Sequence, residues 1–382
     1  MRSGERSNGP PKAPDGITRA ERTPDAGAVG NKRLAIADNQ SVRNTAWRSA
    51  AAFAIVASLH TETSYAQTAP DRTWRELLPT SASAPEPRRN GVAIYDPVGR
   101  RVVIFGGISG SGHLNDTWAF DLQTQSWTRL DTRGTPPAAR LGHDAVYDAM
   151  GHQMIVWAGQ DQSRFFNDTW ALDLTSLAWQ ELSPSSRPQA RYGSASVFDP
   201  VERRLVTFAG FTDLSRRFQD TQAFDLDTNT WEDLTPRGDK PEVRCLLTAA
   251  YDAAGHRMIM YGGQRSGPLD DIWAFDFGTR SWTSLTPSER PAGRFFAASF
   301  LDRRQRFYVF GGATARGDEG ETWVFDLASA RWSRLEIPGP PPRNGMLAAY
   351  VDDRDSFVVF GGVTSGRLYS DVWELLPITP QD

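Results

Sequence analysis

Apolar and polar positions along this chain follow one short pattern that returns six times. Runs of mostly β-branched, aromatic and aliphatic residues end in Gly-Gly or Ala-Gly: RVVIFGG, MIVWAG, LVTFAG, MIMYGG, FYVFGG and FVVFGG. Their closing glycines, Gly107, Gly159, Gly210, Gly263, Gly312 and Gly362, are 52, 51, 53, 49 and 50 residues apart. About ten residues after each comes a second run: NDTWAFDL, NDTWALDL, QDTQAFDL, DDIWAFDF, GETWVFDL and SDVWELLP. Gln222 stands where the other units have Trp118, Trp170, Trp273, Trp323 and Trp373. A third run starts at Trp127, Trp179, Trp231, Trp282 and Trp332. Runs this short, bounded by Gly, Pro and Asp turns, predict strands.

An inner strand precedes each glycine-ended run, as in RNGVAIYD and RLGHDAVYD, so each unit holds four antiparallel strands. The sixth unit lacks the last of these. Residues 73–78, TWRELL, match the WTRL, WQEL, WEDL, WTSL and WSRL strands and have no neighbour of their own. Trp74 therefore fills the vacancy. A four-stranded sheet leaves two apolar faces to cover, and six such sheets set radially cover one another. The expectation is an all-β, six-bladed propeller closed by its N-terminal strand, which also removes an exposed sheet edge. Small residues on the inner strands, such as Gly91, Ala93, Gly142, Ala195 and Ala349, suit the crowding near an axis.

The diglycine strand, the spaced tryptophan pair and the period near fifty resemble the Kelch repeat across residues 72–376. Ala158, Ala209 and Gln222 depart from that pattern. The resemblance implies a Kelch propeller, here a bacterial-style secreted member. In Kelch adaptors one end of the propeller holds acidic peptides, which points to the same end here.

Upstream, Arg43 and Arg48 precede an apolar run from Ala50 to Leu59, followed by Ser64 and Ala66 at small-residue cleavage positions. That layout is a secretory signal, and its apolar core is too short for a span of about twenty residues. The domain reading is residues 1–41 as a disordered extension that translation can bypass, 42–66 as signal peptide and 67–382 as propeller. The expected location is secreted or periplasmic, without a stable membrane span.

Charge narrows the partners. Residues 1–66 hold nine Lys/Arg and six Asp/Glu, so of a net −4 the remainder carries −4 − 3 = −7. Nucleic-acid binding needs a basic footprint and is not expected. The lone Cys245 excludes an internal disulfide and a cysteine zinc cluster.

One mouth of the propeller concentrates the candidate binding residues. Arg88, Arg140, Arg191, Arg244, Arg294 and Arg343 each lie seven residues before Tyr95, Tyr147, Phe198, Tyr251, Leu301 and Tyr350. Loops joining second to third strands reach the same end and add Arg164, Phe166, Arg217 and Phe218, with Phe165, Arg216, Arg265, Arg316, Arg367 and Tyr369. Arginine and aromatics dominate interface hot spots, and the guanidinium fork suits carboxylates. Two readings of the six repeated arginines stand side by side: a ligand-facing ring, or structural bonds to loop carbonyls and to Asp116, Asp168, Asp220, Asp271 and Asp371. The functional expectation is a monomeric binding module for a protein, peptide or anionic glycan, with no cofactor, metal or catalytic residue. The alternative is a sugar-acid epimerase of the sialic acid type, for which His143 and Glu242 are the acid–base candidates. A galactose oxidase-like copper site is not expected, since His113, His143, His152 and His256 do not converge and Cys245 has no partner. GDEGETW, at 317–323, resembles an Asp box but lacks its leading Ser and sits between the wrong strands.

Overall fold

The computed structural model describes residues 71–213 and 216–378, so the extension and the signal peptide lie outside the described residues. Six antiparallel blades of four main strands make up most of the described chain, with Arg88–Arg89 added to blade 1 and two-stranded ribbons in blades 5 and 6, and the helical content is a single 3-10 turn, Asp352–Arg354. Blade 1 runs Val92–Asp96, Arg101–Ser109, Gly112–Asp121, Ser126–Arg129. Blade 2 comprises Asp144–Asp148, Gln153–Trp157, Thr169–Asp173 and Trp179–Leu182. Blade 3 comprises Ala195–Asp199, Arg204–Phe208, Thr221–Asp225 and Thr230–Asp233. Blade 4 follows with Thr248–Asp252, Arg257–Tyr261, Ile272–Asp276 and Ser281–Ser284. Ala298–Leu301, Arg306–Phe310, Thr322–Asp326 and Arg331–Leu335 form blade 5.

Blade 6 is the composite one. Its inner strands Leu347–Val351 and Ser356–Phe360 carry Val372–Pro377, on which Arg72–Leu77 pairs as the outermost strand. Trp74 sits opposite Leu375 in that register.

Each outer-strand tryptophan packs on the aromatic that precedes the glycine pair in the blade before it. Trp127 meets Phe360 with ring centroids 4.9 Å apart, Trp179 meets Phe105 at 5.0 Å and Trp231 meets Trp157 at 4.3 Å. Trp282 meets Phe208 at 4.6 Å, Trp332 meets Tyr261 at 5.1 Å and Trp74 meets Phe310 at 4.8 Å. One indole thus spans every blade boundary, the seam included, and such pairs add about 0.5–1.5 kcal/mol beyond burial. Beside the seam, Arg72 is fully buried and donates to Tyr308, Asp302 and Asp355.

Backbone bonds close two further circles. The second residue of each Gly-Gly or Ala-Gly pair donates to the carbonyl of the next blade's entry arginine: Gly107 to Arg140, Gly159 to Arg191, and so round to Gly362 and Arg88, at 2.9–3.0 Å. Nearer the axis, Gly142 donates to Asn90, Gly193 to Gly142, Leu246 to Gly193, Phe296 to Leu246, Gly345 to Phe296 and Asn90 to Gly345. All six of these residues have positive φ, between 54° and 66°. Only the left-handed conformation aims both the N–H and the C=O around the axis, and Asn90, Leu246 and Phe296 adopt it despite the steric cost to non-glycine residues.

Candidate functional site

The six entry arginines are buried to within 1% of their full exposure, and each joins two blades. In blade 2, Arg140 Nη1 and Nη2 grip Asp168 bidentately at 2.7 Å each, Nη1 also reaches the Ala158 carbonyl at 2.8 Å and Nε the Ala138 carbonyl at 2.9 Å. Its backbone N–H and C=O bond blade 1 at Leu114 and Gly107. Trp170 Nε1 donates to the same carboxylate at 2.8 Å. The arrangement repeats as Arg88–Asp116, Arg191–Asp220, Arg244–Asp271 and Arg343–Asp371. In blade 3, Gln222 Nε2 replaces the indole as donor to Asp220 at 3.1 Å, which explains why that unit tolerates the exchange. Blade 5 differs, because Arg294 meets Glu321 only at 3.5 Å and Arg334 shares that carboxylate at 2.8 Å. Burial would raise Asp116, Asp168, Asp271 and Asp371, yet the paired guanidinium and the indole N–H hold each below the usual carboxylate range.

Of the two readings, the structure therefore assigns Arg88, Arg140, Arg191, Arg244, Arg294 and Arg343 to the blades. They do not form a ligand-facing ring, because carbonyls and carboxylates of the chain already occupy their forks. Phe166 and Phe218 are buried too. They cover Arg140 and Arg191 at 4.1 and 4.2 Å, and Tyr369 covers Arg343 at 4.0 Å. On the outer side of these rings lie the exposed Arg164, Arg216 and Arg367, at 4.8, 5.6 and 5.2 Å. Among the described residues, only blades 2, 3 and 6 have this Arg-x-aromatic stack, so the loop face is not sixfold.

The largest departure from symmetry falls between blades 2 and 3. Phe165, Tyr192 and Phe211 form a partly buried triangle with centroids 6.2, 5.9 and 6.2 Å apart. Arg217 lies over Phe211 at 5.4 Å, half-buried, with no hydrogen-bond partner for Nε. The triangle reaches the axis, since the Tyr192 ring lies where a Cβ on Gly142 would stand, 2.2 Å away. Sequence reasoning singled out Phe165 but missed Tyr192 and Phe211, whose convergence depends on loops nearly twenty residues apart pairing through Tyr192 and Phe211 backbone.

Along the axis runs a cavity of about 220 Å³ walled by the inner strands. Its wall includes Asp144, whose Oδ2 accepts from Ser194 Oγ at 2.6 Å and Ser196 Oγ at 2.8 Å. The carboxyl is partly buried in the channel wall and makes no salt bridge among the described residues. Burial pushes it up to about 7 against the lowering influence of the two hydroxyls.

The model of the KLHDC2/KLHL20/DRC7 Kelch-repeats domain matches residues 52–186, 121–294 and 285–381. The chain belongs to the Kelch-repeat family. Over 257 residues this Kelch chain is 27% identical to the flagellar outer-arm dynein alpha chain of Chlamydomonas reinhardtii, covering 63% of itself and 6% of that protein. It is 29% identical over 229 residues to the leucine-zipper-like transcriptional regulator 1 homolog of Drosophila melanogaster, covering 55% and 23% respectively. With acyl-CoA-binding domain-containing protein 5 of Arabidopsis thaliana it shares 28% over 250 residues, 61% of this chain and 37% of the relative. The Kelch chain thus spans well under half the length of these relatives.

The candidate acid–base residues lie apart. An epimerase site needs an arginine for the sugar carboxylate, and the six repeated ones are occupied. Glu242 is exposed and salt-bridged to Arg265. His143 is buried edge-on to Phe105, with neither ring nitrogen in hydrogen-bonding geometry, and burial and Arg140 push it down to about 3. His152 and His256 bond Asp96 and Asp199 of the neighbouring blades. No cluster of three metal-ligating side chains exists among the described residues. Asp318, of the GDEGETW stretch, accepts from Asn344. No helix among the described residues is long and apolar enough to cross a membrane.

Proposed function

We propose that this Kelch propeller is a protein-interaction module whose contact surface is the blade 2–3 sector of the loop face, and that its partner presents an acidic segment carrying an apolar or aromatic residue. The observation that supports this reading is the break in symmetry. Structural repeats need no partly exposed aromatic triangle at one boundary, whereas a binding site gains from one. Phe165, Tyr192 and Phe211 supply a rigid apolar anchor of the kind that dominates hot spots, and Arg164, Arg216 and Arg217 border it with positive charge. The proposal includes export, supported by the pattern of residues 43–66, and action as a monomer. An N-terminus near Gln67 in the mature protein, read by mass spectrometry, tests the first.

Panning a displayed random-peptide library against the purified protein tests the surface. Selected peptides should be rich in Asp and Glu, and should lose binding to a Phe165→Ala/Phe211→Ala protein and to Arg164→Glu/Arg216→Glu. Peptides that bind wild type and both variants equally would place the contact elsewhere. Capture of an acidic glycan instead of any peptide would replace the partner class while keeping the surface.

A further inference from the structure

The axial channel offers a different chemistry from the loop face. Among the residues lining it, Asp144 is the one carboxylate, and no lysine or arginine contributes. Both serine hydroxyls converge on Oδ2, which leaves Oδ1 turned to the channel. Thr248 adds an acceptor to the wall. Ser299 Oγ donates to the Ala249 carbonyl, so Thr248, 2.5 Å away, directs its proton to Ser299 and keeps its lone pairs for the channel. Val92, Ala93, Ala145, Met346 and Ala348 make the remaining wall apolar.

Such a wall, with one carboxyl group, no lysine or arginine and an otherwise small and apolar lining, is complementary to a compact cation with several N–H groups and a short hydrocarbon stem. We propose that the channel is a binding site for a primary alkylammonium group, with Asp144 as its counter-ion and the Thr248 hydroxyl as a further acceptor. This site is separate from the loop-face surface and stands or falls without it. A metal ion is a poorer match, because hard divalent cations take six or more oxygens and usually several carboxylates. Burial raises the Asp144 carboxyl to about 7, against the lowering pull of its two serine donors and of Arg191, so about half of it is protonated at neutral pH. An arriving ammonium reverses that balance and expels the proton.

Isothermal titration of the full chain with n-butylammonium chloride tests the site, with 1-butanol as the neutral control. Wild type should bind the amine saturably. At pH 7 the observed heat should change between buffers of different ionisation enthalpy, reporting proton release. Asp144→Asn should weaken binding about tenfold or more, and 1-butanol should not bind. Ala348→Leu, which fills the channel while keeping every charge, should abolish binding and serves as the second variant should Asp144→Asn not fold. Absence of saturable binding, equal affinity in either folded variant, or equal binding of 1-butanol would overturn the proposal. Peptide selection on the loop face is read separately, so the two proposals fail separately.

Discussion

Replacing Arg244 by Met and, separately, Arg294 by Met compares two copies of one clamp that differ in a single acidic residue. Arg244 holds Asp271 at 2.6 and 2.7 Å and reaches the carbonyls of Gly262 and Glu242 at 2.9 and 3.0 Å. Without it, Asp271 loses its bidentate partner and keeps the Trp273 indole N–H at 2.8 Å and a backbone N–H, and two carbonyls lose a donor. Removing one member of a buried pair costs about 3–5 kcal/mol. The carboxylate side is 25% exposed, so the lower end applies, about 3 kcal/mol. Arg294 sits 3.5 Å from Glu321 and bonds the Gly311 and Ala292 carbonyls at 3.1 and 3.3 Å. Its loss leaves Glu321 with Arg334 and Trp323, both at 2.8 Å, so about 1 kcal/mol is expected. Urea unfolding followed by tryptophan fluorescence should separate the midpoints by roughly 0.5–1 M. If Arg294→Met is as destabilising as Arg244→Met, the clamp does not act through its bidentate carboxylate and the argument fails.

The seam and the titrating groups give two further tests. Trp74→Ala removes a buried indole that stacks on Phe310 and donates to Thr322 Oγ1 at 3.0 Å, so a loss of about 3–5 kcal/mol is expected in a thermal or chemical melt; a change under 1 kcal/mol would mean that the N-terminal strand does not hold the ring. Asp144, raised to about 7 when folded, is a carboxyl whose contribution falls as pH rises from near 4 through 7, by up to about 4 kcal/mol. Asp144→Asn should therefore gain stability over wild type at pH 8 and not at pH 4, and a pH-independent difference would refute that burial. The lowered clamp aspartates act with the opposite sign in both proteins: their stabilisation is present above pH 4 and is lost as pH falls through their folded values.

What could be read from the chain follows from how local each signal is. The strands, the period and the seam rest on residues within one repeat, or on a fragment, TWRELL, that matches one. The pairing of the entry arginines with Asp116, Asp168, Asp220, Asp271 and Asp371 was open to inspection because both members recur. Whether those arginines faced inward was not, since the same fork serves a ligand or a loop. Glu321 in blade 5 has a longer side chain that lets Arg334 compete, and only geometry shows that. The axial residues Asn90, Leu246 and Phe296 carry no sign of a left-handed backbone, because inter-blade bonds impose it. Asp144 and Ser196 meet across a blade boundary, and Phe165, Tyr192 and Phe211 across two loops, so neither site exists at the level of one repeat.

Pairing of Arg72–Leu77 with Val372–Pro377 brings together the two most distant stretches of the described sequence. On a growing chain the first strand emerges early and waits for roughly 300 residues before its partner is made. Until then the first five sheets can assemble in order, but the sixth remains short by one strand and its edge is open to any other extended segment, including the same strand of a second molecule. At high concentration, refolding should therefore yield ring dimers that exchange this one strand.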